Sequence, residues 1–126
     1  MENTTDSILM RVLIVAFDVS SEKLDYCYLQ GGSVIAKSCL NDSISIREAL
    51  SGLQAWSQEN SFHEIRVICE STGVYHRNLL QIARQLGMRT NLVSGEAVSA
   101  QRKVKFNDTG KNDTRDAEVI LSLIHI

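Results

Sequence analysis

Gly31-Gly32 separates two eight-residue runs, Lys23–Gln30 (KLDYCYLQ) and Ser33–Leu40 (SVIAKSCL), whose apolar and aromatic residues alternate with polar ones. A glycine pair between two such runs is a strong two-residue hairpin signal, because the turns that match strand twist need left-handed backbone. The run before them, residues 11–17 (RVLIVAF), is continuously apolar and β-branched and ends at Asp18. That is the pattern of a central strand buried on both faces. Three consecutive antiparallel strands are therefore expected to open the fold.

Ser45-Ile46-Arg47-Glu48 reads as a capping box, followed at helical spacing by Ala49, Leu50, Leu53 and Trp56, so a helix is expected to about Ser57. Residues 65–69 (IRVIC) form the next strand candidate, stopping at Glu70. Ser71-Thr72-Gly73 then leads into a helix with Leu79, Leu80, Ala83 and Leu86 on one stripe and Gly87 as its stop. Residues 88–93 are a weaker strand, joined through that helix by a right-handed parallel crossover. The order βββαβαβ, followed by one or two helices, predicts an α/β architecture: a mixed five-stranded sheet with helices packed on it. Residues 95–106 suit a short basic helix and residues 107–111 (NDTGK) a loop.

The final helical pattern raises a chemical question. Counted from Asp113, one helical face carries Asp116, Ala117, Ile120, Leu121 and Ile124, so two carboxylates share the stripe that otherwise buries apolar residues. Asp18 closes the first central strand and Glu70 the fourth. If those strands are adjacent and parallel, both carboxylates emerge at the same end of the sheet, where α/β folds place their sites. Acids gathered from separated segments repel one another unless a cation lies among them, and hard oxygen ligands suit Mg²⁺ or Mn²⁺. Each acid also has an ordinary role, as a turn residue for Asp18 and Glu70 or as a dipole-favoured first turn for Asp113 and Asp116. Four coincidences of this kind explain the pattern less well than one metal site. Asp25, Asp42, Glu48, Glu59 and Glu118 fit surface or turn positions, His76 a half-exposed surface group, and Tyr75 a core or interface position.

Between Arg102 and Lys111 the basic residues Arg102, Lys103, Lys105 and Lys111 face a single acid, Asp108. Beside a metal site such a strip suits a nucleic-acid backbone, although a solvated face has the same composition. The net charge of -2 excludes neither reading, and 126 residues with 44% hydrophobic content suit one domain, residues 11–126 after a polar tail at 1–10. Cys27, Cys39 and Cys69 are odd in number, widely spaced and set among apolar residues, as expected of reduced packing residues in a cytoplasmic protein. The polar start and the short apolar run after it fit neither a signal sequence nor a membrane span. The last helical pattern reaches Ile126 without a cap, as if the domain belonged to a longer protein.

Three stretches, DVSSEKLDYCYL at residues 18–29, ESTGVYHRNLL at 70–80 and GKNDTRDAEVI at 110–120, resemble the N-terminal domain of the DEDD transposases, a family that includes the pilin-gene-inverting site-specific recombinases. The resemblance implies an RNase H-like (RuvC-like) fold, with Asp18, Glu70, Asp113 and Asp116 as the catalytic, metal-binding tetrad for Mg²⁺ or Mn²⁺. It implies DNA as substrate, assembly into a dimer or tetramer, a C-terminal domain bearing a serine nucleophile and, in some relatives, a guide RNA. Gly95 stands where the family pattern would place an Asn-Pro-like turn, which bears on the route of the basic segment.

The expected function is therefore metal-dependent DNA strand cleavage and exchange in a prokaryotic, DNA-associated setting. One alternative is a stand-alone Holliday-junction-type nuclease. Another is an actin- or sugar-kinase-like nucleotide-binding domain, which shares the element order but needs phosphate-cradling glycines after the first aspartate, where Val19-Ser20-Ser21 stand here. A module that only binds DNA is the non-enzymatic reading.

Overall fold

The computed structural model describes residues 11–70 and 73–94. Strand β1 (Val12–Val19) is followed by the hairpin β2 (Lys23–Gln30) and β3 (Ser33–Leu40), helix α1 (Ser43–Glu59), strand β4 (Glu64–Glu70), helix α2 (Arg77–Gln85) and strand β5 (Arg89–Val93). The sheet order is β3-β2-β1-β4-β5. β1 pairs antiparallel with β2 and parallel with β4, and β4 pairs parallel with β5. This is the mixed five-stranded α/β sheet with element order βββαβαβ that the RNase H-like resemblance implies.

Gly31 and Gly32 adopt φ values of 58° and 88°, the left-handed backbone that a two-residue hairpin requires. The turn fixes a register that runs unbroken from Gln30↔Ser33 to Lys23↔Leu40. Alternation along the strands then sorts the side chains into two faces. Leu13, Val15 and Phe17 of β1, Leu24, Tyr26 and Tyr28 of β2, and Ile65, Val67 and Cys69 of β4 join the core beneath the helices. From α1 come Ile46, Leu50 and Leu53, and from α2 Leu79, Leu80, Ile82 and Ala83. Phe17 stacks on Tyr26 with ring centroids 4.8 Å apart, and Trp56 lies between Tyr28 and Phe62 at 5.3 and 5.7 Å. The other face is not bare: Ala16, Cys27 and Ile68 are also buried, which is why β1 and β4 read as continuous apolar runs.

Helix α1 departs from expectation at its start. It begins at Ser43, with Asp42 as N-cap, so the Ser45–Glu48 capping box is corrected to a simple aspartate cap. The Ser45 N–H donates to Asp42 Oδ1 at 2.7 Å. The charged carboxylate satisfies an orphan donor at the positive end of the helix dipole, which an uncharged serine does less well. This hydrogen bond, followed by that of the Ser45 side chain, holds the Asp42 carboxyl below its ordinary pKa of 3.8. A depressed carboxyl contributes stability above its unfolded pKa and loses it as pH falls through the folded one. Asp42→Asn keeps a capping oxygen without a titrating charge. Melting curves taken from neutral pH to about pH 2 are therefore expected to fall less steeply for Asp42→Asn than for the parent. Equal acid slopes would refute the assignment.

Helix α2 buries Leu79, Leu80 and Ala83 of the expected stripe together with Ile82, while Leu86 is its half-buried C-cap before Gly87 at φ 81°. Cys27 and Cys69 are buried and Cys39 is half-buried. Among the described residues no helix is long and apolar enough to cross a membrane.

Candidate active site

Asp18 lies one residue inside β1 rather than after it, because its backbone still pairs with Asp25 of β2. Phe17 belongs to the helix-covered core, so alternation puts Asp18 on the opposite face with Ala16. Glu70 is the last residue of β4, following Cys69 of the core, and it shares that opposite face with Ile68. The parallel β1–β4 ladder runs in register through Phe17↔Cys69. Asp18 and Glu70 are the next residues of the two strands after that last pair. The two strand-end acids thus meet at the carboxyl end of adjacent parallel strands, on one face, and both are half-buried.

A third carboxylate belongs to this row. Asp25 stands directly across the antiparallel ladder from Asp18, and it is only 8% exposed. This corrects its assignment to a strand surface. The signal was present in KLDYCYLQ: Asp25 shares its face with Cys27, an apolar neighbour pointing away from Tyr26 and Tyr28, so that face too had to be covered. Like charges directly opposite one another destabilise a ladder. Lys23 offsets part of this, with its Nζ 3.6 Å from Asp25 Oδ2. Burial, and then the Glu70 charge, pushes the Cys69 thiol up to about 12, so this cysteine stays protonated and inert beside the acids.

Among the described residues no three His, Cys, Asp or Glu side chains are grouped to hold a metal ion by themselves. Asp113 and Asp116, and the basic residues Arg102, Lys103, Lys105 and Lys111, lie outside the described residues. So do the expected basic helix, the loop and the final helix.

The polypeptide next to these strand ends is tightly held. Ser20 N–H donates to the Lys23 carbonyl at 3.0 Å, closing the β1–β2 turn. Asn41 Nδ2 donates both to the Ser20 carbonyl, at 2.7 Å, and to the Tyr75 carbonyl, at 3.0 Å. His76 caps α2 without a side-chain hydrogen bond, and its Nδ1 is buried without a partner. Tyr75, expected in core or interface, is 53% exposed.

Comparison with known proteins places this arrangement. The family model of the IS110-type DEDD transposases, described as Transposase, matches residues 15–125. The chain belongs to this DEDD transposase family. A search of curated proteins finds no match for it. Among solved structures, this transposase-family chain is similar to YeaZ from Pseudomonas aeruginosa, at 16% identity and a TM-score of 0.47, over 76% of the chain and 50% of YeaZ. It is also similar to T. thermophilus RuvC in complex with a Holliday junction substrate, at 8% identity and a TM-score of 0.48, over 87% of the chain and 90% of RuvC. The catalytic core domain of BIV integrase matches at 8% identity and a TM-score of 0.38, over 90% of the chain and 82% of the integrase. The chain spans about half the length of the YeaZ structure.

Proposed function

We propose that this chain is the metal-dependent catalytic domain of a DNA transposase or site-specific recombinase, cleaving and exchanging DNA strands. The observation that carries the reading is that Asp18 and Glu70 directly follow the last paired residues, Phe17 and Cys69, of adjacent parallel strands, inside a transposase-family domain. Asp18 and Glu70 offer carboxylate oxygens, the hard donors that suit a divalent cation such as Mg²⁺. Asp18 and Glu70 would hold Mg²⁺ or Mn²⁺ together with Asp113 and Asp116, whose i, i+3 spacing gives them a common helical face. When bound, such an ion activates an attacking oxygen and stabilises a leaving one in phosphoryl transfer.

The protein's own contribution is positional. Asp18 and Glu70 are fixed by ladder hydrogen bonds rather than carried on a loop, so their separation is set before any ligand arrives. Arg102, Lys103, Lys105 and Lys111 are proposed to bind backbone phosphates. The same reading has the chain act with a C-terminal serine-bearing domain, as a dimer or tetramer, on DNA chosen with or without a guide RNA. The Ser20–Lys23 turn has no glycine to bring backbone N–H groups against a nucleotide phosphate, which argues against a kinase-like role.

The test is a crystal soaked in Mn²⁺ and examined for anomalous signal, together with Asp113→Asn and Asp116→Asn in the intact protein. Signal among Asp18, Glu70, Asp113 and Asp116, with strand cleavage lost in both variants, is expected. Manganese elsewhere, or undiminished cleavage, would overturn the reading.

A further inference from the structure

Charge is segregated along the chain. Every acid among the described residues lies at or before Glu70, whereas residues 73–94, which build α2 and β5, carry Arg77, Arg84 and Arg89 and no acid. Helix α2 turns this into a surface. Its inner side buries Leu79, Leu80, Ile82 and Ala83, and its outer side exposes Arg77, Asn78, Gln81, Arg84 and Gln85. Each of those outer side chains can donate a hydrogen bond and none can carry negative charge. The helix has no acid in its first turn and opens on Arg77, a cation at the end of the dipole that favours anions. Such a charge costs the helix stability and points to an anion from elsewhere. Arg84 and Arg89 are anchored without being neutralised. Arg84 Nε donates to Thr90 Oγ1 at 3.1 Å, and Arg89 Nε lies 3.5 Å from Glu64 Oε2. That same oxygen is 3.0 Å from Arg66 Nη2, so two guanidiniums share one acid, and Arg66 Nε is buried without a partner. Among the described residues neither Arg77 nor Arg84 has an ion-pair partner, so this flank keeps a net positive charge.

We propose that the outer face of α2, continued by Arg89 of β5, is a track for the phosphate backbone of duplex DNA. This rests on the DNA-cleaving reading above and adds the path of the substrate, which leaves the carboxylates along α2. The helix starts beyond the carboxyl end of β4, where Glu70 stands, and leads back to the start of β5. Arg77 and Arg84, seven residues apart, share one side of the helix about 10 Å apart along its axis. That is a rise of about three nucleotides in one strand. A guanidinium fork matches phosphate oxygens in pairs, and Asn78 and Gln81 between the two arginines add neutral donors. With no aromatic ring on this face, backbone contact is favoured over stacking on unpaired bases. An acidic protein surface is the other partner that such charge attracts, and the experiment tells the two apart.

The experiment uses the intact protein and a fluorescent DNA duplex, with binding followed by anisotropy over a salt series. Arg77→Gln, Arg84→Gln and Arg89→Gln are each expected to lower the slope of log affinity against log salt by about one. The triple variant should lose about three and bind on the order of a hundredfold more weakly near about 0.15 M salt. Arg77→Lys and Arg84→Lys, which keep the charge, should keep the slope. Lys37→Gln removes one charge from the far edge strand and should leave the slope unchanged. A parental slope in the folded triple variant overturns the proposal, and so does an equal drop for Lys37→Gln. Should the triple variant unfold, the single variants decide by the same criterion. A triple variant whose sedimentation changes while its DNA binding does not would make the face a protein contact and end the DNA assignment. Failure of the underlying reading looks different: the arginine-dependent slope would persist while Asp18→Asn left any cleavage untouched. No duplex binding by the parent protein would sink both.

Discussion

Asp18→Asn is expected to remove DNA strand cleavage while leaving the fold intact or slightly more stable. The two effects have separate causes. Loss of one ligand from a metal site that stabilises developing charge by several kcal/mol translates into a rate loss of roughly a thousandfold or more. The same change deletes a negative charge facing the buried Asp25 across the β1–β2 ladder, where like charges oppose pairing. Activity should therefore fall as the melting temperature holds or rises, a combination that a merely structural aspartate would not produce. Under the metal-site proposal, Glu70→Gln should behave similarly in activity and the double variant should be little worse than either, because ligands of one site act as a unit. Cleavage assays alongside thermal melts decide the matter. A parallel fall in both quantities would reduce Asp18 to a structural residue.

Phe17→Ala, one residue away, should do the reverse. Phe17 is fully buried and stacked on Tyr26 in the core between sheet and helices. Removing a buried phenylalanine costs about 3–5 kcal/mol, from lost transfer energy and from the cavity left behind. A domain of this size has on the order of 5–15 kcal/mol in total, so the variant should lose a large part of its stability. Chemical denaturation should show a lower midpoint with little change in slope. Phe17→Leu, which refills part of the volume, should recover much of the loss. If Phe17→Ala cost less than about 1 kcal/mol, the tight core packing described here would be wrong. Neighbouring positions thus separate by alternation alone: Phe17 faces the helix-covered core and Asp18 the opposite face of the sheet.

What could be read from the chain follows from how local each signal is. Gly31-Gly32 specifies its own turn, and the bounds of β2 and β3 emerge as expected. The stripe of α2 and its glycine stop are equally local and hold. The start of α1 is a competition between nearby polar residues, Asp42 and Ser45, and the winner depends on which carries charge at the helix end. The apolar run of β1 ends at Phe17, whereas its pairing with β2 continues to Val19. Asp25 was overlooked for a related reason. Its burial comes from coverage of the second sheet face, which is a tertiary property, and only Cys27 hinted at it. For the site, the acids at 18 and 70 could be paired from strand order because a parallel neighbour brings strand ends level. The partners at 113 and 116, and the basic residues from 102 to 111, rest on helical spacing and family resemblance, and they lie outside the described residues.

The outermost strand has a consequence for handling the protein. On β3, Lys37 falls on the same face as Ile35 and Cys39, which lean against the core, yet it remains exposed. Any additional strand zipping onto this margin, with a layer laid over it, would have to dehydrate that ammonium group. An obstacle of this kind discourages open-ended cross-β growth. Among the described residues β3 is an edge strand, and Lys37 is the charge that guards it.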